Sequence, residues 1–325
     1  MISSSPAVPG GGPLVVATAA GTGMAWLMMI AAVVCLAFVP FLVRAADVGP
    51  GAAGFWRMVL ALPLLAAWSA TVDRRQPVAI PASGARRRGL LAAIAAGLAF
   101  TGDLFFFHRA IGTTTVANAA LLCQLAPVMV VAALWIFGGE RPGRGLIAGL
   151  GLALAGAWLL VRDTGDRAGA DIMGDLSAVA AAACYAAYLI AIKAARRSIA
   201  AGTTMLVTTA VSAVGLGLLA VASGEVLMPS SLAGWAAVAA LGILAHAGGQ
   251  GLATAALGRL PVGAASLLLL IQPVITAAFG WPIEGEMPSL MQIAGAMLLL
   301  AALATANPAV RPAWRRTGPA PLAAR

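Results

Sequence analysis

The chain has 325 residues, of which 61% are hydrophobic and only 10% charged, and its mean hydropathy is +0.96. A soluble domain carries about a quarter charged residues, so globular domains of this composition could not cover their own surfaces, and lipid must be the solvent for most of the molecule. A net charge of +9 and a pI near 11.1 would suit nucleic acid, but where the charges sit matters more than their sum.

Apolar runs of about 20 residues, bounded by charge, Pro or Gly, predict membrane spans at 24–44, 51–71, 89–109, 114–137 and 143–162. A second set follows at 174–194, 202–223, 232–253, 261–282 and 288–306. Helices are required, because the runs lack the alternation of barrel strands and backbone in lipid must satisfy its own hydrogen bonds. At about 30 residues per span and connection the length is then filled, with no room for an extra catalytic or nucleic-acid-binding domain. Residues 1–23 and 307–325, rich in Gly and Pro or in Pro and Arg, read as disordered tails, with 163–173 as a linker. The N-terminal stretch lacks the basic start of a signal peptide, so the first apolar run is expected to stay in the protein. Cys35, Cys123 and Cys184 all fall within apolar runs, which implies neither a disulfide framework nor a metal cluster.

Cytoplasmic loops carry the excess of Lys and Arg. With the N-terminus inside, Arg44, Arg109, Arg162 and Arg167 fall on the outer side, Arg57 lies within a span, and the rest of the 20 basic residues fall inside. Both termini are therefore expected in the cytoplasm of a multi-pass inner-membrane protein. The high pI is a topology signal, and no nucleic-acid partner is expected.

Leu125, Ala126, Pro127 and Val128 recur as Ile271, Gln272, Pro273 and Val274, an offset of 146 residues. The same offset relates Gly139, Glu140 and Pro142 to Gly285, Glu286 and Pro288, and Gly149 to Gly295. Five spans per copy is an odd number, so the second copy enters the membrane from the opposite side. The predicted fold is all-α and integral to the membrane, ten transmembrane helices as a 5+5 inverted repeat with copies at 24–162 and 174–306. Inverted repeats characterise secondary transporters, whose halves rock around a site near the bilayer midplane.

Several segments together resemble a known family. Asp103 to His108, Thr115 to Leu122, Ala126 and Pro127, and Gly139 to Pro142 are similar in order and spacing to EamA-type transporters of the drug/metabolite transporter superfamily. In the second half, His246 to Gly251, Leu260 to Gly263, Gln272 to Val274, and Gly285 with Glu286 agree. The resemblance covers residues 24–306. It implies a ten-helix carrier whose relatives export amino acids, other metabolites or drugs.

Ionisable residues inside a span cost about 2.5 to 3.5 kcal/mol on insertion scales, so each requires a partner or a cavity. Arg57 and Asp103 each lie six residues from the outer end of their spans, about 9 Å deep at 1.5 Å per residue. The spacing predicts an ion pair between them, either structural or gating; if so, losing one partner should hurt more than losing both. His108 lies near the outer interface, as an ordinary interfacial side chain or a proton relay. His246 and Gln250, one turn apart with Gly248 and Gly249 between, line a cavity or bond a neighbouring helix. Gln124, Tyr185, Tyr188 and Gln272 lie at midplane depth and are candidates to contact substrate. Thr204, Thr208 and Ser212 form a stripe of hydroxyls that either bond backbone or serve function. Pro127 and Pro273 should kink equivalent helices, for packing or as hinges.

The expected function is export of a small polar or amphipathic metabolite by alternating access, with proton coupling, uniport and exchange all open. An intramembrane enzyme is the rival, but the chain has no H-E-x-x-H, no glycine-flanked serine nucleophile and no cluster of carboxylates. A passive channel is disfavoured because an inverted repeat with paired prolines suits rocking better than a fixed pore. No P-loop appears outside the membrane, no cofactor is implied, and the protomer is expected alone or as a homodimer in the bilayer with a small-molecule substrate.

Overall fold

The computed structural model describes residues 19–71, 73, 84–113, 122–139, 141–162, 172–272, 274–276, 278–279 and 290–306. Both predicted tails beyond these bounds, the linker up to 171, Glu140, Pro273, Glu286 and Pro288 lie outside the described residues.

Every regular element among the described residues is helical. The first half contains α1 (Ala19–Ala37), α2 (Val39–Ala45), α3 (Pro50–Thr71), α4 (Ala85–Thr113), α5 (Ala126–Gly138) and α6 (Arg144–Arg162). The second contains α7 (Ile172–Ala195), α8 (Ala201–Ala222), and a rod of α9 (Leu232–Ala240), a π-helix (Leu241–Gln250) and α10 (Gly251–Leu257). It ends with α11 (Val262–Leu269) and α12 (Leu290–Ala306). Among the described residues, six helical stretches are long and apolar enough to cross a membrane: Gly23–Val43, Pro50–Thr71, Ala85–Ala110, Ile172–Ala195, Ala201–Ala222 and Leu232–Leu257. They coincide with expected spans 1, 2, 3, 6, 7 and 8. Shorter apolar stretches, Ala126–Gly138, Arg144–Gly156, Val262–Thr276 and Ile293–Ala302, fall at expected spans 4, 5, 9 and 10.

Large apolar side chains such as Leu27, Leu98, Val214 and Leu218 face outward, while the interior is dense in Ala, Gly and hydroxyl residues. That is the composition of helix contacts in lipid, where close backbone approach replaces the hydrophobic drive. The main packings place α3 along α8, α4 along α7 and α8, α6 along α12, and α5 against α11. The α9–α10 rod packs against α1 and α3. Exchanging each span with the one five later turns α4·α7 into the rod against α1, and α4·α8 into the rod against α3.

The hydroxyl stripe on α8 forms part of this frame. Thr208 Oγ1 donates to the Ala93 carbonyl at 3.2 Å and Ser212 Oγ to the Gly97 carbonyl at 3.0 Å. Thr204 instead bonds its own helix, at Ala200. Two hydroxyls one turn apart thus meet two α4 carbonyls one turn apart, and Gly97 lets the helices close to that distance.

At each end of the α3·α8 pair a carboxylate following one helix caps the start of the other. Glu225, just beyond α8, accepts from the Ala52 amide at 2.9 Å. Asp73, just beyond α3, accepts from the Gly202 and Thr203 amides at 3.2 and 2.6 Å. Free amides and the positive helix end favour an anion at both places. The reciprocity requires that the two helices run antiparallel. Nearby, exposed Asp47 accepts from the Ser230 hydroxyl at 2.5 Å and its amide at 3.0 Å. The Ser230 hydroxyl holds the Asp47 carboxyl below its ordinary range.

Candidate functional site

Two chain breaks recur in register. The Leu125 amide bonds the Leu122 carbonyl at 3.1 Å and the Ile271 amide bonds Leu268 at 3.1 Å, while Met129 to Leu125 (3.0 Å) is matched by Ile275 to Ile271 (3.1 Å). Each pair is 146 residues apart. Pro127 stands in the first turn of α5, directly after the turn at Gln124 and Leu125. Its ring has no N–H to return to Cys123 and fixes φ for a helix start. The expected kink is therefore an interruption. Pro273, its counterpart, is outside the described residues.

A third break lies between α1 and α2, where Pro40 occupies the first turn of α2. A proline at 40 leaves the Leu36 carbonyl without its intrahelical donor. Gln272 Nε2 supplies one at 3.1 Å, and Thr276 Oγ1 donates to the Ala37 carbonyl at 3.0 Å. The Gln272 amide thus ties the broken helix of one half to the other half.

The buried polar groups converge elsewhere, on the faces where α3, α4, α7, α8 and the π-helix meet. Arg57 is 6% exposed and its guanidinium lies over the Phe100 ring, 5.8 Å from the centroid. Phe100 is tilted against Tyr188 at 4.9 Å and stacked on His246 at 5.9 Å. Tyr185 stacks on Tyr188 at 5.7 Å. The Tyr188 hydroxyl donates to Gln250 Oε1 at 3.3 Å. His246 Nε2 pairs with Thr209 Oγ1 at 2.8 Å. Arg57 Nε and His246 Nδ1 are buried with no hydrogen-bond partner among the described residues.

The π-helix explains the placement of His246 and Gln250. Its wider turn, made of i→i+5 bonds, is rare and occurs mostly at functional sites. Here it runs through a sequence with three glycines, Gly242, Gly248 and Gly249. Gly242 faces the Arg57 carbonyl, and Gly249 faces Cys35 and Leu36. The rod therefore presses its backbone against α1 and α3 and turns its two polar side chains toward Phe100 and Tyr188.

Of the candidates named from sequence, Arg57, Tyr185, Tyr188, His246 and Gln250 come together. Asp103 is three residues beyond Phe100 on α4 and half-buried. The expected pairing with Arg57 is not formed: among the described residues no ion pair joins the two. His108 lies farther along α4, half-buried, its ring 6.1 Å from that of Phe107. Gln124 sits in the turn before α5, half-buried; neither it nor His108 makes a hydrogen bond into the cluster among the described residues. Phe100 and Thr209 were missed. Phe100 shares a helix face with Asp103 through i, i+3 spacing, and Thr209 adjoins the stripe on α8, signals that gain meaning only once Arg57 and His246 are placed.

A family model described as the EamA-like transporter family matches residues 23–162 and 172–307. No curated protein matches the chain. Among solved structures, a crystal structure of a protein aligns with TM-score 0.73 at 20% identity, covering 89% of this chain and 99% of that one. That likeness speaks to fold alone.

Proposed function

Because the chain belongs to the EamA-like transporter family, we propose that it is a secondary carrier moving a small polar or amphipathic metabolite outward across the inner membrane by alternating access. In this reading ten helices form two inverted five-helix halves, with both termini cytoplasmic. The observation that carries it is the buried cluster assembled from both halves. Arg57 and Phe100 come from the first, and Tyr188, Thr209, His246 and Gln250 from the second. A site divided between two similar bundles can be exposed to either side by rocking one against the other. The matched breaks before α5 and after α11, and the antiparallel α3·α8 pair, support the inverted arrangement.

Purified protein in liposomes is expected to catalyse exchange of a labelled metabolite against its unlabelled form, saturably and without ATP. A pH gradient should drive net accumulation if protons are coupled, and leave the exchange unchanged otherwise. A panel of amino acids, nucleosides and amphipathic drugs that shows no exchange, or ion currents far above carrier turnover, would contradict the proposal.

A further inference from the structure

We infer that the arginine-rich corner where the start of α4, the turn after α7 and the end of α10 meet is a docking surface for anionic phospholipid headgroups of the adjoining leaflet. Their phosphates supply the negative charge that a carboxylate supplies at the repeat-related corner.

The two corners correspond residue by residue. Gly234 lies 145 residues after Gly89, as Gly242 does after Gly97, and Ser198 lies 151 residues after Asp47, as Thr203 does after Ala52. Contacts follow the same correspondence: a Cβ on Gly234 would run into Asp47, and one on Gly89 into Ser198. At the first corner the Asp47 carboxylate accepts from the amide and hydroxyl of Ser230, just before α9. At the second a serine replaces the aspartate, and the first turn of α4 carries exposed Arg86, Arg87 and Arg88. Cations there face the positive end of the helix, which adds to the demand for an anion.

Exposed Arg197 and Arg259 flank the same corner, and Arg196 is built into it. Arg196 Nη1 donates to the Ile199 carbonyl at 2.6 Å. Its Nη2 and Nε lie 2.9 and 3.2 Å from where a Cβ on Gly258 would stand, and the buried Nε has no partner among the described residues. Lys193 Nζ pins the end of α10 alongside, donating to the Leu257 and Leu260 carbonyls at 2.8 and 2.7 Å. Burial pulls the Arg196 guanidinium below its ordinary value; the charge of Asp73 opposes this and that of Arg259 adds to it. The Asp73 carboxylate is already committed to the Gly202 and Thr203 amides and the Thr203 hydroxyl. Guanidinium groups bind phosphate in bidentate geometry, and basic clusters at a membrane edge draw anionic headgroups.

The test uses the full-length protein in a neutral detergent with three probes: phosphatidylglycerol, phosphatidylcholine with the same acyl chains, and inorganic phosphate. Binding is read as a shift in thermal midpoint across a titration. Phosphatidylglycerol is expected to raise the midpoint saturably, and the other two to leave it unchanged at equal concentration. Joint Arg87→Gln and Arg197→Gln should weaken the phosphatidylglycerol titration about twentyfold, at about fivefold per arginine. Arg144→Gln, exposed on α6, which packs along α12, should not change it. Ser198→Asp, which restores the carboxylate, should raise the midpoint without lipid and blunt the response to phosphatidylglycerol. Equal responses to the two lipids overturn the inference, as does a response to free phosphate that matches phosphatidylglycerol. A loss in Arg144→Gln as large as in the double variant also overturns it, by reducing the effect to general attraction between basic ends and the leaflet. Should the double variant fail to fold, Ser198→Asp decides: no gain without lipid and an undiminished lipid response contradict the docking surface.

Discussion

Replacing Gly97 with leucine is expected to cost about 3 kcal/mol or more and to remove most of the folded protein from the membrane fraction. A Cβ at this position would stand 2.6 Å from Val211 Cβ and 2.8 Å from the Thr208 carbonyl oxygen. Neither neighbour has room to move, since the second is backbone and the first is a Cβ, whose position the backbone sets. The helices must separate, and with them go the bonds from Thr208 to Ala93 and from Ser212 to Gly97. Gly151, by contrast, has nothing within 4 Å of where a Cβ would stand, and leucine there should be tolerated. Thermal midpoints of the two variants in detergent compare them directly. Equal losses, or none at Gly97, would show that α4 and α8 do not close as described.

Neutralising Arg57 and Asp103 is expected to slow exchange of the transported solute while leaving the protein folded. Arg57→Gln, Asp103→Asn and the double variant should each lose about ten- to a hundredfold in rate, the worth of one or more charged hydrogen bonds. The double variant discriminates between two roles. A structural ion pair makes each single variant worse than the double, because the single change strands a charge. Two poles of a ligand site make the double variant no better than the singles, since both handles on the solute are gone. Among the described residues no ion pair joins Arg57 to Asp103, which favours the second pattern, and exchange restored in the double variant would return the pair to a structural role.

Membrane character, helix positions and the repeat were legible in the sequence because each depends on local composition or on a fixed offset. Apolar runs place helices, and the register of 146 residues that linked Leu125 to Ile271 reappears as matched hydrogen bonds at both breaks. The clustering of five polar candidates has a related reason: a polar group inside an apolar run has to go somewhere, and Arg57, Tyr185, Tyr188, His246 and Gln250 go to one place. The partners were not legible. Gln272 was a candidate for substrate, but its amide serves the carbonyl that Pro40 leaves free on a helix far away in the chain. Likewise, nothing adjacent to Glu225 signals that it will cap α3. Pairings of this kind depend on which helices meet, and helix meeting in lipid is set by small-residue complementarity that no single run displays. The π-helix was hidden too, because Gly242, Gly248 and Gly249 mark close approach without specifying how the backbone winds.

The central claim is that the two halves lie in the membrane in opposite orientations. Single cysteines at Arg141 and at Met287, in a chain with Cys35, Cys123 and Cys184 replaced, can be labelled with a membrane-impermeant maleimide in intact cells and in inside-out vesicles. The inverted arrangement predicts that position 141 reacts only from the cytoplasmic side and position 287 only from the opposite one. Reaction of both from the same side would contradict it.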